Sequence, residues 1–477
     1  MKNKELSLGI AFLPIIILVI LLSYNVLIFG DEALGGSNQF ILLLGAAIAG
    51  IVGFYYKIGY RSMIDRVSEN LQSVTGALLI LLFVGALAGT WLISGIIPAM
   101  IYYGLQILHP SIFLPACIII CAIISLATGS SWTTSATVGI ALIGIGKALG
   151  VPVGMVAGAV ISGAYFGDKL SPLSDTTNLA PAMAGGELFS HIRYMTYTTI
   201  PSIVITIIVF LILSLTQSTS GASDTEILMR AIEEKFTITP WLFIVPGVVI
   251  LLIIKKSPPL IALLIGTLLG GVFALLFQSS ILLEITDSNK LSFEVGYRAI
   301  MNSITVSTEI KTSNILLNDL FTSGGMEGML GTIWLIICAM VFGGIMDAIG
   351  ALGKISNALL NWAQTTFQLF ASTVASCLAI NLTASDQYLS IVIPGKMFAK
   401  AYKDRKLAPE NLSRTLEDSG TVTSVLIPWN TCGAYQSGVL GVGVGEYFIY
   451  AIFNWLSPFM TLLYAAFKIK ITTIEAK

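Results

Sequence analysis

The chain alternates between long apolar runs and short polar interruptions. Nine continuous runs approach or reach the length of about 20 residues that an α-helix needs to cross a bilayer. They cover residues 8–29, 39–56, 74–94, 111–127, 197–215, 240–254, 258–278, 331–350 and 366–382. Further apolar stretches, broken by Gly, Ser and Pro, lie at 95–108, 133–180, 384–400 and 417–467. The pattern predicts an all-α polytopic membrane protein with roughly 10–13 embedded segments.

The composition agrees with that prediction. Only 11% of the 477 residues are charged, whereas soluble proteins carry about 25%, so most of the surface must face the lipid bilayer. The net charge of −1 provides no basic face for a nucleic-acid partner. The first apolar run is too long for the core of a secretory signal, and no small-residue cleavage site follows it, so we expect it to be the first membrane helix.

The distribution of Lys and Arg predicts the orientation. Lys2 and Lys4 precede the first run, whereas the loop after it, 30–39, contains Asp31 and Glu32 but no basic residue. Basic residues return after the second run, at Lys57, Arg61 and Arg66. Because cytoplasmic loops are enriched in Lys and Arg, we expect the N-terminus in the cytoplasm and the protein in the bacterial inner (cytoplasmic) membrane.

The sequence also repeats itself. Residues 255 positions apart match at Gly76 and Gly331, Gly89 and Gly344, Gly95 and Gly350, Thr128 and Thr383, and Ser130 and Ser385. After a two-residue insertion the spacing becomes 257, which pairs Pro152 with Pro409, Ser162 with Ser419, and Gly163 with Gly420. Residues 74–165 and 329–422 therefore read as two copies of one unit. Secondary transporters are built from such repeats, often inserted with opposite topology, and we favour inversion here.

These boundaries divide the chain into five parts. We expect N-terminal scaffold helices at 1–73, a first repeat at 74–215, a polar linker at 216–239, scaffold helices with a polar loop at 240–328, and a second repeat with a C-terminal helix at 329–477. Part of the polar stretch 279–328 is expected to form an amphipathic helix on the membrane surface. No soluble catalytic domain is expected in it.

Each repeat contains two breaks rich in hydroxyl groups. The first break, at 127–135 in one copy and 381–386 in the other, is followed by a short apolar stretch and predicts the tip of a re-entrant hairpin. An ordinary loop outside the membrane is the alternative. The second break lies at 163–178 in the first copy, and at 417–424 and 427–433 in the second. Hydroxyls, amides, carboxylates and freed carbonyls offer the oxygen ligands that hard cations such as sodium prefer.

Acidic residues lie in or beside these breaks, where ionisable groups are costly and usually functional. They are Asp168, Asp175, Asp386, Glu417 and Asp418. A carboxylate can hold either a proton or a metal cation, so these residues are candidates for proton and ion coupling. Two alternatives stay open: Asp168 could pair with Lys169 or cap a half-helix, and Asp175, followed by two threonines, could be an N-cap.

Three segments resemble the NhaC family of sodium/proton antiporters. They are 163–181, with Gly-Asp-Lys-Leu-Ser-Pro-Leu-Ser-Asp-Thr-Thr-Asn, 128–134, with Thr-Gly-Ser-Ser-Trp-Thr-Thr, and 418–433 in the second copy. The resemblance implies two inverted repeats, each with a re-entrant hairpin and a broken helix. They would form a mobile transport domain beside a scaffold that usually dimerises.

The resemblance also implies where sodium would bind, between the hairpin tips and the broken helices. In the first half it points to Thr128, Ser130, Ser131, Asp175 and Asn178. In the second half it points to Thr383, Ser385, Asp386, Thr421 and Asn430. The second tip, Thr-Ala-Ser-Asp, departs from the first, Thr-Gly-Ser-Ser, so the two sites need not be equivalent.

Sodium/proton exchange is the function that we expect from these features, with no cofactor beyond the transported ions. Exchange of small organic anions, such as malate for lactate, and amino-acid permeation are the alternatives, because relatives of these kinds resemble the same family. Neither tip contains an Arg to clamp a carboxylate. A channel would need rings of identical groups, and no nucleophile–base or His-Glu-x-x-His motif suggests an enzyme.

Overall fold

The computed structural model describes residues 6–29, 35–216, 222–255, 257–312 and 315–474. Within these ranges eight helices are long and apolar enough to cross a membrane, or nine if one bent pair is counted as a single span. The all-α, polytopic prediction is therefore confirmed. Lys2, Lys4, Asp31 and Glu32, which contribute to the predicted orientation, lie outside the described residues.

Two helices precede the first copy. They are α1 (Leu8–Phe29) and α2 (Ser37–Tyr55). The bounds of both helices agree with the predicted runs 8–29 and 39–56 to within two residues. This agreement is expected, because a continuous apolar run is the feature that defines a membrane helix. α2 packs on α1 and on the first helix of the second copy.

The first copy begins with a helix that extends well before the predicted run at 74–94. Its helices are α3 (Tyr60–Ile93), α4 (Ile96–Ile107), α5 (Pro110–Thr128), α6 (Ser131–Thr134), α7 (Ile140–Ala148), α8 (Val153–Leu170), α9 (Asp175–Ala184) and α10 (Leu188–Thr216). A π-helical turn, Ser135–Gly139, joins α6 to α7 as one arm. The helical path is therefore interrupted between α5 and α6 and again between α8 and α9, within both predicted breaks.

A mixed segment connects the copies. It contains α11 (Ala222–Lys235), α12 (Ile244–Ile254), α13 (Pro259–Phe277), α14 (Ser279–Ile285), α15 (Phe293–Thr305), β1 (Thr308–Glu309), α16 (Ile315–Leu320) and β2 (Thr322–Ser323). β1 and β2 pair antiparallel. In α15 the exposed Phe293 and Tyr297 oppose the buried Ala299 and Ser303, as expected for an amphipathic helix in the polar stretch.

The second copy has the same order of elements. Its helices are α17 (Leu330–Ala348), α18 (Ala351–Trp362), α19 (Thr366–Thr383), α20 (Gln387–Asp404), α21 (Pro409–Leu416), α22 (Thr431–Leu440), α23 (Val444–Tyr447) and α24 (Ile452–Ala466). The short α23 is its one addition among the described helices. Gly95 and Gly350 precede α4 and α18 with φ values of 78° and 72°. The same left-handed turn thus recurs at matched positions, which supports the duplication.

The helix that leads into the first tip packs directly on the first half of the broken helix. A Cβ atom added to Gly163 would lie 2.3 Å from the carbonyl oxygen of Ile118, and one added to Gly167 would lie 2.4 Å from that of Ala122. The Ser125 hydroxyl donates to the Ala164 carbonyl at 2.6 Å. Small residues allow α5 and α8 to approach backbone to backbone, as in other membrane helix pairs.

Candidate functional site

The first hairpin tip is a tight turn between α5 and α6. Gly129 has φ 70°, and Ser130 caps α6 by accepting a hydrogen bond from Thr133 N at 3.1 Å. A Cβ atom on Gly129 would lie 2.6 Å from Leu173 Cβ. The tip is therefore pressed against the break between α8 and α9, and only glycine fits this position without displacing the break.

Asp168, near the end of α8, fastens the tip to the broken helix. One carboxylate oxygen accepts hydrogen bonds from Ser131 N at 3.2 Å and from Ser131 Oγ at 2.7 Å. Lys169 turns the other way and forms a buried ion pair with Asp418. The alternative pairing of Asp168 with Lys169 is therefore wrong.

Asp175 is the first residue of α9, and its side chain is exposed. The residue that caps α9 is Ser174, which accepts from Thr177 N at 3.4 Å. The alternative role of Asp175 as the N-cap is therefore not what the structure shows. Its carboxylate is free to face the space between the tips, while its charge still suits the positive end of a helix.

The second tip uses different residues for the same turn. Ser385 takes the left-handed conformation with φ 59°, and Asp386 caps α20 by accepting from Leu389 N at 2.8 Å. The structure thus pairs Ser385 with Gly129 and Asp386 with Ser130. The sequence match had paired Ser385 with Ser130, one residue away.

The second broken helix is tied to this tip through backbone and amide groups. Thr431 N donates to the Ser385 carbonyl at 2.9 Å. Asn430 caps α22 by accepting from Cys432 N at 3.0 Å, and its amide donates to Asn381 Oδ1 at 3.1 Å. Each tip is therefore held by the break of its own copy, although by different chemical groups.

A cavity of about 570 Å³ lies where the two tips and the two breaks meet. Asp168, Asp175 and Asp386 all line it, together with hydroxyl groups of the first tip. None of its described lining residues is Lys, Arg or His. The remaining walls come from α3 and from the segment around Pro258 and Pro259. The arrangement offers oxygen ligands and negative charge in a partly enclosed space, which suits a cation.

The structure brings only part of the predicted set to the cavity. The members that line it are Thr128, Ser130, Ser131, Asp168, Asp175 and Asp386. The Asn178 amide nitrogen instead donates to the carbonyls of Pro172 and Ser174 at 3.0 and 2.7 Å. Thr383 donates to the Ala379 carbonyl at 2.7 Å. These two residues and Asn430 stabilise helix ends and turns outside the cavity wall.

Four other predicted residues are sealed behind the cavity. The hydroxyls of Ser385 and Thr421 are buried and have no hydrogen-bond partner. Glu417 and Asp418 are fully buried. Asp418 forms the ion pair with Lys169 and accepts hydrogen bonds from Thr198, at 2.8 Å, and from Thr461.

Sequence reasoning missed several cavity residues. Gln387 follows Asp386 directly, and its side-chain oxygen accepts from Ser424 Oγ at 3.1 Å and from Cys432 Sγ at 2.6 Å. Trp132 stacks on Tyr435 with ring centroids 4.0 Å apart, which ties the first tip to α22. Proximity to the tip could have identified Gln387, whereas the α3 wall depends on long-range packing that no local motif encodes.

The comparisons with known proteins agree with the architecture. A family model described as the Na+/H+ antiporter family matches residues 163–469. The chain belongs to the Na+/H+ antiporter family. Membership confirms the predicted resemblance, and it indicates a multi-pass membrane transporter.

Several relatives in this family match most of the chain. The Na(+)/H(+) antiporter NhaC of Alkalihalophilus pseudofirmus is 36% identical over 423 residues, 89% of this chain and 88% of that protein. The malate-2H(+)/Na(+)-lactate antiporter of Bacillus subtilis is 36% identical over 88% of this chain and 86% of its own length. The arginine/ornithine antiporter ArcD of Halobacterium salinarum is 33% identical over 97% of this chain and 92% of its own length.

Proposed function

We propose that the chain exchanges sodium for protons across the cytoplasmic membrane, with the cavity between the two tips as the cation site. The observation that carries the proposal is the cavity lining: three carboxylates, several hydroxyls and no basic side chain among the described residues. Sodium is a hard cation and takes oxygen ligands. The NhaC relative supports this cargo by its name.

The same lining disfavours an organic anion. Two unit charges of equal sign roughly 8 Å apart repel by about 2 kcal/mol at an effective dielectric constant of 20. A dicarboxylate in the cavity would face Asp168, Asp175 and Asp386 without a compensating Lys or Arg among the described lining residues. Malate and lactate, which the Bacillus subtilis relative carries according to its name, therefore fit this cavity less well than sodium.

A cationic amino acid is the second candidate cargo. The cavity volume of about 570 Å³ exceeds what a single ion needs, and Trp132 and Tyr388 add aromatic walls. Aromatic faces and carboxylates both attract organic cations. The arginine/ornithine relative supports this alternative, because its name gives two cationic amino acids as its cargo.

Mutual exclusion of sodium and protons would provide the coupling, and competition at one carboxylate is its simplest form. The charged Asp168 accepts two hydrogen bonds from Ser131, and such bonds are strong because the acceptor is ionised. A proton on Asp168 would remove both the charge that attracts sodium and much of the hold on the tip. Sodium and a proton would therefore exclude each other and favour different tip positions.

The proposal includes the membrane topology. We assume that each hairpin returns to its own side and that α4, with 12 residues, is too short to cross. Five crossings then separate the start of α3 from the start of α17: α3, the broken α8–α9, α10, the bent α11–α12 pair and α13. Five is odd, so the copies would enter from opposite faces, with the N-terminus in the cytoplasm. The helices outside the two repeats would form the homodimer interface. Cysteine accessibility at the two ends of α3 and α17 tests the inversion.

Transport in proteoliposomes tests the function. Sodium added to vesicles with an imposed proton gradient should dissipate it, whereas malate, lactate and neutral amino acids should not. Asp175→Asn should abolish the response, and Asp347→Asn is the matched control, because Asp347 lies outside the cavity wall, 3.8 Å from Arg66. Wild-type rates for both Asp168→Asn and Asp175→Asn would refute the site. A response to ornithine or arginine but not to sodium would favour the second candidate.

A further inference from the structure

Glu417 differs from every carboxylate of the cavity wall. It opens a π-helical turn, Glu417–Thr421, that continues α21 into the second break. Its side chain is fully buried, and neither carboxylate oxygen has a hydrogen-bond partner. The hydroxyl of Thr421, one turn later, is also buried and unpartnered. An ionised carboxylate without donors is costly to bury, whereas the neutral acid is much less so.

The basic groups around Glu417 are engaged elsewhere. Lys169 forms its ion pair with Asp418, which Thr198 and Thr461 also contact. The Arg414 guanidinium lies 4.5 Å from the centre of the Tyr194 ring and 5.7 Å from that of Tyr464. None of its nitrogen atoms forms a hydrogen bond. Lys169 and the Thr421 hydroxyl interact with Glu417, but among the described residues no basic side chain forms an ion pair with it.

Glu417 lies close to the cavity without belonging to its wall. Asp168, Lys169 and Asp418 all act on it electrostatically, and Asp168 is itself part of the cavity wall. The elements packed against this turn carry further titratable side chains: Glu410 and Arg414 of α21, Cys377 of α19, Tyr388, Lys396, Lys400, Tyr402, Lys403 and Asp404 of α20, Tyr464 of α24 and Asp175 of α9. Glu417 and Thr421 offer three side-chain oxygens without other partners at this turn, fewer than the six or so that hard cations usually take, whereas a proton needs only one.

We propose that Glu417 binds the transported proton while the cavity carboxylates bind sodium, so that the two ions occupy separate sites. This inference rests on the proposed exchange. A proton that binds the Glu417 carboxylate yields the neutral acid. When sodium binds beside Asp168, its positive charge favours release of that proton to the aqueous side then accessible. Because coupling between sites is reciprocal, a proton on Glu417 weakens sodium binding to the same extent.

Two measurements on Glu417→Gln separate this arrangement from simple competition. The first is exchange of radioactive for unlabelled sodium at equal pH, which needs the sodium site alone. The second is proton movement driven by a sodium gradient, which needs both sites. We expect sodium/sodium exchange within about twofold of wild type and a loss of sodium-driven proton flux of about 5–150-fold, the usual range of coupling between two sites. Asp175→Asn, the matched variant in the cavity, should lose both.

Either of two results would overturn the inference. One is a wild-type proton flux in Glu417→Gln, and the other is a parallel loss of both activities in protein that still elutes as a single folded species. If Glu417→Gln does not fold, Glu417→Asp replaces it: the retained carboxylate should preserve coupled flux with a displaced pH profile, and an unchanged profile would count against Glu417. A wild-type protein without sodium-driven proton flux would instead refute the proposed function.

Discussion

The two breaks share a backbone path but place their acids differently. In the first copy Asp168 and Asp175 lie at helix ends and face the cavity. In the second copy Glu417 and Asp418 lie within a helical segment and are sealed. At the spacing of 257, Glu417 corresponds to Val160 and Asp418 to Ile161, both fully buried apolar residues of α8. The comparison shows that the two copies of a duplicated scaffold can keep the same helix breaks while their acidic residues occupy different positions.

The largest effect is expected at the ion pair that joins the two breaks. Lys169→Met leaves Asp418 buried and unpaired, which should lower the free energy of unfolding by about 3–5 kcal/mol. The double variant Lys169→Met with Asp418→Leu should recover most of that loss, because neither charge is then left alone. Thermal unfolding in detergent micelles checks both variants. A double variant no more stable than the single one would show that the pair does not hold the breaks together.

The next test concerns the hold of Asp168 on the first tip. Bonds to a charged acceptor contribute about 1.5–3 kcal/mol each, so Asp168→Asn should lower sodium-driven flux by about 100-fold. Ser131→Ala removes only the hydroxyl bond, at 2.7 Å, and should cost about tenfold. Initial rates in proteoliposomes measure both. Equal losses would mean that the charge of Asp168 matters for another reason.

The two left-handed tip residues should respond in opposite ways. Gly129→Ala forces a Cβ onto φ 70° and against Leu173, so it should destabilise the protein by about 1–2 kcal/mol. Ser385→Gly removes a Cβ from φ 59° and should leave stability unchanged or slightly higher. Melting temperatures of the two variants decide the point. Destabilisation by Ser385→Gly would indicate that its buried hydroxyl contributes more than the backbone strain costs.

The smallest effect is expected at Asp386. Asn caps a helix about as well as Asp, so Asp386→Asn should fold normally while removing one of three cavity charges. Asp386 is only 1% exposed, and its carboxylate already accepts a hydrogen bond from Leu389 N. We expect its loss to weaken sodium binding by about 1 kcal/mol, which raises the half-saturating sodium concentration by about fivefold. Asp386→Ala, which also loses the cap, should lower stability by about 1 kcal/mol. An Asn variant that cannot transport would place Asp386 among the essential ligands.

Local sequence information was sufficient for the helices and the breaks. α1 spans the predicted run because continuous apolar sequence alone determines a membrane helix. The ends of α5 and α19, at Thr128 and Thr383, fall within the predicted tips, because glycine and hydroxyl residues interrupt the apolar pattern there. The predicted orientation and domain boundaries stay predictions.

Local sequence patterns could not predict which way individual side chains point. Asn178 has the right chemistry for a ligand, but its amide nitrogen already donates hydrogen bonds to carbonyls of the preceding turn. Lys169 and Asp418 are separated by 249 positions, so only the packing of the two copies brings them together. The family resemblance pointed to the segments that form the cavity. Which of their side-chain oxygens line it depends on three-dimensional packing.

The glycine contact between α5 and α8 restricts how the first copy can change shape. With carbonyls of α5 seated against Gly163 and Gly167, neither helix can slip along the other without driving atoms into overlap. The hairpin and the broken helix must then travel together as a rigid body. The motion that exposes the cavity alternately to the two faces of the membrane must therefore bend the chain outside this unit. The turn at Gly185 between α9 and α10, with φ 75° and open space around it, has the freedom to do so.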